Sequence, residues 1–413
     1  MGVSRFIASR LASAGESDDS KSRISNTIAW ISVGLSIAVM IVAICVVDGF
    51  KSTIRSKAEG FMGSVLLVTP GQGPVNELYP FTDSLSYIDA IKDIRSVSGI
   101  YPVAYTSALL KTDSDIDGIY LKGTDSLYDY SFFRDCLVEG VLPDYSGRVS
   151  NDVLISRSTA ARMGYRVGDP LVAYFIGDEV KVRRFNICGI FEAGIDDIDS
   201  RFAVADIRQV RRINGWSSDE VSTLEIHSTG TVDMDRLSNE VEAIEFNSMS
   251  DSDPALFVTS ARKVYGNLFD WLSLLDLNVL MILALMVLVA GFNMISAVLI
   301  ILFEKIQMIG LLKSLGMTTR EVGRVFLLRS WSIVGKGLLW GNVLGIGLCL
   351  AQKYTHLIKL DRANYFVDWV PVSIDVPELL LLNVSAAALI MLLISFSTLF
   401  ISKVSPDKTL KVE

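Results

Sequence analysis

Residues 303–330 read FEKIQMIGLLKSLGMTTREVGRVFLLRS, too charged to lie in lipid, yet set between two long apolar runs, Leu277 to Phe303 and Ser330 to Leu350. A bilayer core takes about 20 mostly apolar residues per helix, and two further runs reach that length, Ile28 to Val47 and Leu379 to Ile401. Half of the 413 residues are apolar and the mean hydropathy is +0.42, more than a soluble domain of this size needs for its core. The expected fold is membrane α-helical, with four transmembrane helices.

Between the first and second runs the composition changes. Residues 49–270 carry 22 Lys and Arg against 33 Asp and Glu, while the rest of the chain carries 16 against 13. The acidity belongs to one hydrophilic insert, large enough for its own core. GIYLKGT, DVLIS, DPLVAYFI, VRRFNICGIFEAG and RFAVADI are short β-branched or aromatic runs punctuated by Gly, Asp and Pro, the pattern of strands. SLSYIDAIKDIRSV, with Leu85, Ile88, Ile91 and Ile94 three apart, and RLSNEVEAIEF read as helices. The insert is therefore expected to be a large mixed α/β extracytoplasmic domain, in more than one lobe, between helices 1 and 2.

The short segments set the orientation, because the positive-inside bias acts on them and not on long translocated domains. The arm holds Arg5, Arg10, Lys21 and Arg23, the opening stretch Lys305, Lys313, Arg320, Arg324 and Arg329, and the tail Lys403, Lys408 and Lys411. All three are expected in the cytoplasm. The segments are an N-terminal arm over 1–27, helices over 28–47, 272–303, 330–352 and 379–401, the α/β domain over 48–271, a cytoplasmic coupling segment over 304–329, an external loop over 353–378 and a tail over 402–413. The first run follows a polar arm with a flexible piece at residues 13–22, lacks a cleavage site, and reads as an uncleaved signal anchor. MGVSRF is not a myristoylation site, since Phe6 stands where Ser or Thr is needed.

Several chemistries find no motif. G-x-x-x-x-G-K-[ST] does not occur, so any ATP is expected to be handled by another chain. H-E-x-x-H and G-x-S-x-G are missing too, and the two histidines, His227 and His356, lie on different segments. Catalytic residues, metal and cofactor are all expected to be none, and nothing points to nucleic acid. Cys45 and Cys349 read as small apolar fillers of helices; Cys136 and Cys188 share the external domain, where a disulfide is permitted. The acidic clusters DSDIDG (113–118) and DDIDS (196–200) lack the calcium-loop pattern and read as solvated turns.

In the opening stretch, Met308, Leu311, Leu312 and Leu315 recur at helical spacing and form one apolar stripe. Gly316 stands where a left-handed cap ends a helix, and Thr318 with Glu321 has the form of a capping box that starts the next. The sequence specifies a short helix, a stop and a restart. Such a helix suits lying on headgroups or docking into a partner's groove.

The stretch resembles the coupling-helix segment of the FtsX-like ABC permeases, through Glu304, Lys305, Ile309, Gly310, Leu312, Lys313, Leu315 and Gly316. AWISVGLSIAVMIVAICVVDGFKSTIRSKAEGFMGSVLLVT, VLVAGFNMISAVLIILFEK, RFNICGIFEAGIDDIDSRFAVADI and YFVDWVPVSID (365–375) are similar to successive parts of the lipoprotein-releasing permeases in that superfamily. The resemblance implies a multi-pass permease of a bacterial inner membrane, without catalytic activity of its own, with both termini cytoplasmic and the large domain periplasmic. It implies as partners an ABC ATPase subunit dimer, a second permease subunit, the same or paralogous, an acylated lipoprotein substrate, membrane lipid and a periplasmic lipoprotein carrier. Val46, Asp48, Gly49, Phe50 and Asn293 become candidates to line the substrate cavity. Trp369, where many relatives have Arg or Lys, and the tail LFISKVSPDKTLKVE depart from the pattern. A signalling permease that controls an external hydrolase and an efflux permease are the alternatives. Lys336 is expected to extend to the interface, and Asn293 to find a partner across a helix contact or to face the cavity.

Overall fold

The computed structural model describes residues 20–111, 115–177, 179–230, 232–304, 306–361, 365 and 367–398. Most of the expected arm, the whole tail, Asp113 and Ser114 of DSDIDG, and Lys305 lie outside the described residues, as do the side chains of Glu304 and Leu312.

The elements in chain order are α1 Ser20–Met62, β1 Val65–Val68, β2 Phe81–Thr82, α2 Ile88–Lys92, β3 Val97–Lys111, β4 Ile116–Thr124, α3 Ser131–Cys136, β5 Leu137–Gly140, β6 Asp152–Ser156, α4 Arg157–Met163, β7 Pro170–Ile176, β8 Val180–Phe191, α5 Asp196–Asp199, β9 Phe202–Asp206, α6 Ile207–Asn214, β10 Glu220–Val221, β11 Thr223–Ser228, α7 Met234–Ser248, β12 Phe257–Ser260, α8 Ala261–Val264, α9 Gly266–Glu304, α10 Ile306–Ser314, α11 Thr319–Thr355 and α12 Val376–Thr398. They divide into two compact units. One holds the apolar helices, and the other comprises Thr53–Trp271 with Leu360–Asp368.

In the second unit the strands run β12-β1-β11-β3-β4-β9-β6-β8-β5, with β7 pairing both β3 and β8. The long strand β3 pairs β11 through Val97–Val103 and β4 through Ala104–Lys111. It makes one continuous sheet where the sequence suggested more than one lobe. Because side chains alternate across a strand, Val65 and Leu67 enter one core with Leu121, Phe185 and Val210, while Leu66 and Val68 enter another with Phe61, Tyr105 and Phe133. The unbroken apolar run VLLV is buried on both faces.

Lys122 lies beside Leu121 on the same strand and so enters the second core, fully buried. Its ammonium is 2.9 Å from the Glu225 carboxylate, equally buried, and donates to the Phe61 carbonyl in the last turn of α1 and to the Tyr128 hydroxyl. Tyr128 and Tyr105 donate in turn to Glu225 at 3.0 and 3.2 Å. The ammonium also sits 4.6 Å from the Phe61 ring centroid, a favourable cation–π placement. Burial alone would raise the Glu225 carboxyl, but Lys122 and His227 outweigh it and hold it below the usual carboxylate range.

Four described helices are long and apolar enough to cross a membrane: α1 from Asn26, α9 to Ile300, α11 from Arg320, and α12 to Ser395. On α9, Leu277, Leu280, Leu285 and Phe292 are each more than half exposed. A helix apolar all round suits lipid and not water. Gly337, Gly341 and Gly345 of α11 leave no room for a side chain against α1. An added Cβ at Gly341 would stand 2.6 Å from the Gly34 carbonyl and 2.7 Å from the Ile37 Cβ, and at Gly337 2.7 Å from Val33. Numbers rise together along the contact, so α1 and α11 are parallel. The α1–α9 contacts run the other way, Asn293 donating to Ser32 and Lys51 pairing with Asp276 at 2.8 Å. Asn342 of α11 and Asn383 of α12 exchange amide hydrogen bonds at 2.6 and 2.9 Å.

Replacing Lys122 by Met leaves the Glu225 carboxylate buried without its cation, and breaking such a pair costs about 3–5 kcal/mol. Denaturant unfolding of the full chain in detergent is expected to show that loss in K122M and its partial recovery in K122M/E225L. Because the folded Glu225 carboxyl is held low, its contribution is present at neutral pH and lost as pH falls through the depressed value.

Candidate functional site

The helix α10 begins within two residues of the end of α9 and is closed by Gly316 at φ +92°, a left-handed conformation that a side chain rarely adopts. Leu315 N–H donates to Leu311 O at 3.0 Å and Gly316 N–H to Lys313 O at 3.1 Å, so the last carbonyls are satisfied in the turn. Thr318 then caps α11. Its hydroxyl oxygen accepts from the Glu321 N–H at 3.3 Å, and its own N–H donates to the Glu321 carboxylate at 2.9 Å. The stop and restart read from sequence are both present.

The face presented is not deducible from the stripe alone. Ile309 and Gly310 are buried, and Ile309 packs in one core with Val322, Phe326 and Ile390. Leu311 and Leu315 of the stripe are 54% and 76% exposed, Met308 is half-buried, and so is Lys313. Ile309 faces the core, while Leu311 and Leu315 point away from it.

The cavity candidates do not form one cluster. Val46, Asp48 and Phe50 are half-buried on α1, whereas Asn293 meets Ser32, sixteen residues before Asp48 and so about 24 Å away along the helix at 1.5 Å per residue. Gly49 has a steric task. An added Cβ would stand 2.3 Å from the Pro371 carbonyl oxygen, and the nearby Ser373 N–H donates to Cys45 O at 3.0 Å. The segment before α12 lies directly on this part of α1.

Sequence reading missed the polar contacts Lys51–Asp276 and Asn342–Asn383, although a lone amide in an apolar run is the signal it used for Asn293. It missed Gln352 as well, whose side-chain amide donates to Ile358 O and Val370 O and accepts from Ile358 N–H. Trp369 stacks on His356 with centroids 4.2 Å apart, which gives that departure from the family pattern a packing role. No disulfide joins Cys136 and Cys188, and the Cys188 thiol donates to Val153 O at 3.3 Å. In the cluster DDIDS, Asp199 accepts from the Ala193 and Gly194 amides at 2.8 and 2.7 Å. It closes a loop where a solvated turn was expected. Among the described residues no group of three or more His, Cys, Asp or Glu could hold a metal.

Two families match the chain. The MacB-like periplasmic core domain covers residues 27–244 and the FtsX-like permease C-terminal region covers 280–406. Lipoprotein-releasing system transmembrane protein LolC of Xylella fastidiosa strain Temecula1 is 20% identical over 416 residues, 92% of each chain. LolE of Haemophilus influenzae is 20% identical over 404 residues, again 92% of each. The chain belongs to the FtsX-like ABC permeases of the LolC/LolE type. Among solved structures, the periplasmic region of MacB from Actinobacillus actinomycetemcomitans is similar over 49% of this chain and 91% of that one, at 11% identity and a TM-score of 0.34. In this permease the MacB-like match takes in most of α1 and ends within α7, and the FtsX-like match contains the whole α10 turn.

Thr318→Ala is expected to cost about 1 kcal/mol of local stability, the usual worth of an N-cap. Hydrogen exchange at residues 319–322 checks it, and faster exchange confined to that turn is the expected result.

Proposed function

We propose that this chain is the permease subunit of an ABC transporter that extracts acylated lipoproteins from the inner membrane and passes them to a periplasmic carrier for delivery to the outer membrane. The observation that carries this reading is the similarity to the lipoprotein-releasing proteins LolC and LolE along 92% of the chain. The four apolar helices cross the membrane, both termini face the cytoplasm, and the α/β domain between α1 and α9 is periplasmic. The parallel α1 and α11, with α9 antiparallel to α1, support that alternation.

The turn from Glu304 to Gly316 is the coupling element. Leu311, Leu315 and Met308 meet a separate ATPase subunit, one of two in the complex, beside a second permease subunit. Ile309 carries the displacement into the helix core, because a buried residue cannot slip without opening a void. The cavity for the acyl chains is lined by Val46, Asp48 and Phe50 on α1. ATP hydrolysis is the partner's chemistry, and this chain converts the partner's movement into closure of the cavity.

With its ATPase partner and ATP, the purified complex in proteoliposomes is expected to release a triacylated lipoprotein to soluble carrier. ATP turnover without any lipoprotein leaving the membrane sinks the transport reading and favours a signalling permease. L311D/L315D is expected to lower co-purification of the ATPase at least roughly tenfold, since each carboxylate would enter an apolar contact at a cost of more than about 1.4 kcal/mol. Insertion in the membrane is expected to stay intact. Gly316→Val is expected to act likewise and Gly316→Asn much less, because Asn tolerates the left-handed region.

A further inference from the structure

The glycine contact between α1 and α11 advances four residues at a time on both helices. Gly337 lies against Val33, Gly341 against Ile37 and Gly345 against Ile41. The next step of the same register pairs Cys45 with Cys349. Both are buried, 1% and 2% exposed. That register sets two free thiols at the same level, one step beyond three glycines that draw the backbones together, and short separation is what a disulfide requires. A packing role for two small side chains does not demand that they meet.

We propose that Cys45 and Cys349 form a reversible disulfide that pins α1 to α11, with a lipid-soluble quinone as the oxidant. The two S–H bonds break and one S–S bond forms; two electrons and two protons pass to the quinone, which leaves as the quinol. A pair buried among apolar helices is out of reach of protein oxidants, and a small apolar oxidant is the class that shares the lipid with these helices. Asp48 lies three residues after Cys45 on the same helix, and so a base for the departing thiol proton is about one turn away.

The test uses the full chain in proteoliposomes treated with decylubiquinone, quenched with N-ethylmaleimide and mapped by mass spectrometry. The expected product is a linked peptide pair containing Cys45 and Cys349, lighter by two hydrogens and separated by dithiothreitol, with Cys136 and Cys188 alkylated. Moving the thiol one position round α1, in I44C/C45A, is expected to lower the linked fraction roughly tenfold, because neighbouring helix positions point about 100° apart. Full alkylation of Cys45 and Cys349 after quinone treatment overturns the proposal. Equal linkage to Cys349 from position 44 overturns it too, since the register would then have no part in the reaction.

Discussion

Where Gly337, Gly341 and Gly345 meet α1, the α11 backbone lies so close that one methyl group would collide. Lipid is as apolar as the side chains it touches, so burying leucine drives these helices together far less than in water; close packing and polar bonds must do it. The glycines supply the first. Around this contact the other helices attach by a few polar bonds: α9 to α1 through Asn293 and Lys51, and α12 to α11 through the paired amides of Asn342 and Asn383. Each of the amides would otherwise be a costly donor or acceptor in an apolar place. Their positions therefore set both the partner and the register of each helix.

The α/β unit meets the same problem with a different device. There water drives burial, and the sheet is covered on both faces. Yet its centre holds a lysine and a glutamate with no exposure at all. A pair of that kind is poor evidence for net stability, so its worth lies in what it orients. The Lys122 ammonium fixes the carbonyl of Phe61, and Phe61 belongs to the last turn of α1, an uninterrupted helix from Ser20 to Met62. The end of that helix is thereby held by the sheet's own core.

The apolar runs were legible as helices because lipid demands a long unbroken run, and the strands DVLIS and RFAVADI because a sheet buried on both faces demands a short one. Gly316, Thr318 and Glu321 were legible because caps are local chemistry, written within four residues. What could not be read is the pairing of distant residues. Nothing in the run containing Gly49 names Pro371, 322 positions later, as its neighbour, and Lys122 looks like an ordinary strand lysine until Glu225 lies opposite. The helix ends were hidden for a related reason. Charged residues from Asp48 to Glu59 mark where the apolar run stops, but backbone hydrogen bonds continue across them to Met62.

That distinction governs the turn after α9. The stripe of Met308, Leu311, Leu312 and Leu315 has the spacing of a buried face, and yet the described leucines point outward while Ile309, off the stripe, is enclosed. This short helix is closed at its end by a left-handed glycine and turns Leu311 and Leu315 outward, where a partner can push on it. Its neighbours through Ile309 are Val322 and Phe326, in the first turns of α11, the helix that carries the glycine contact with α1. A displacement of α10 would thus reach a close-packed seam among the helices, where α1 side chains already press on the α11 backbone and leave little room to compress.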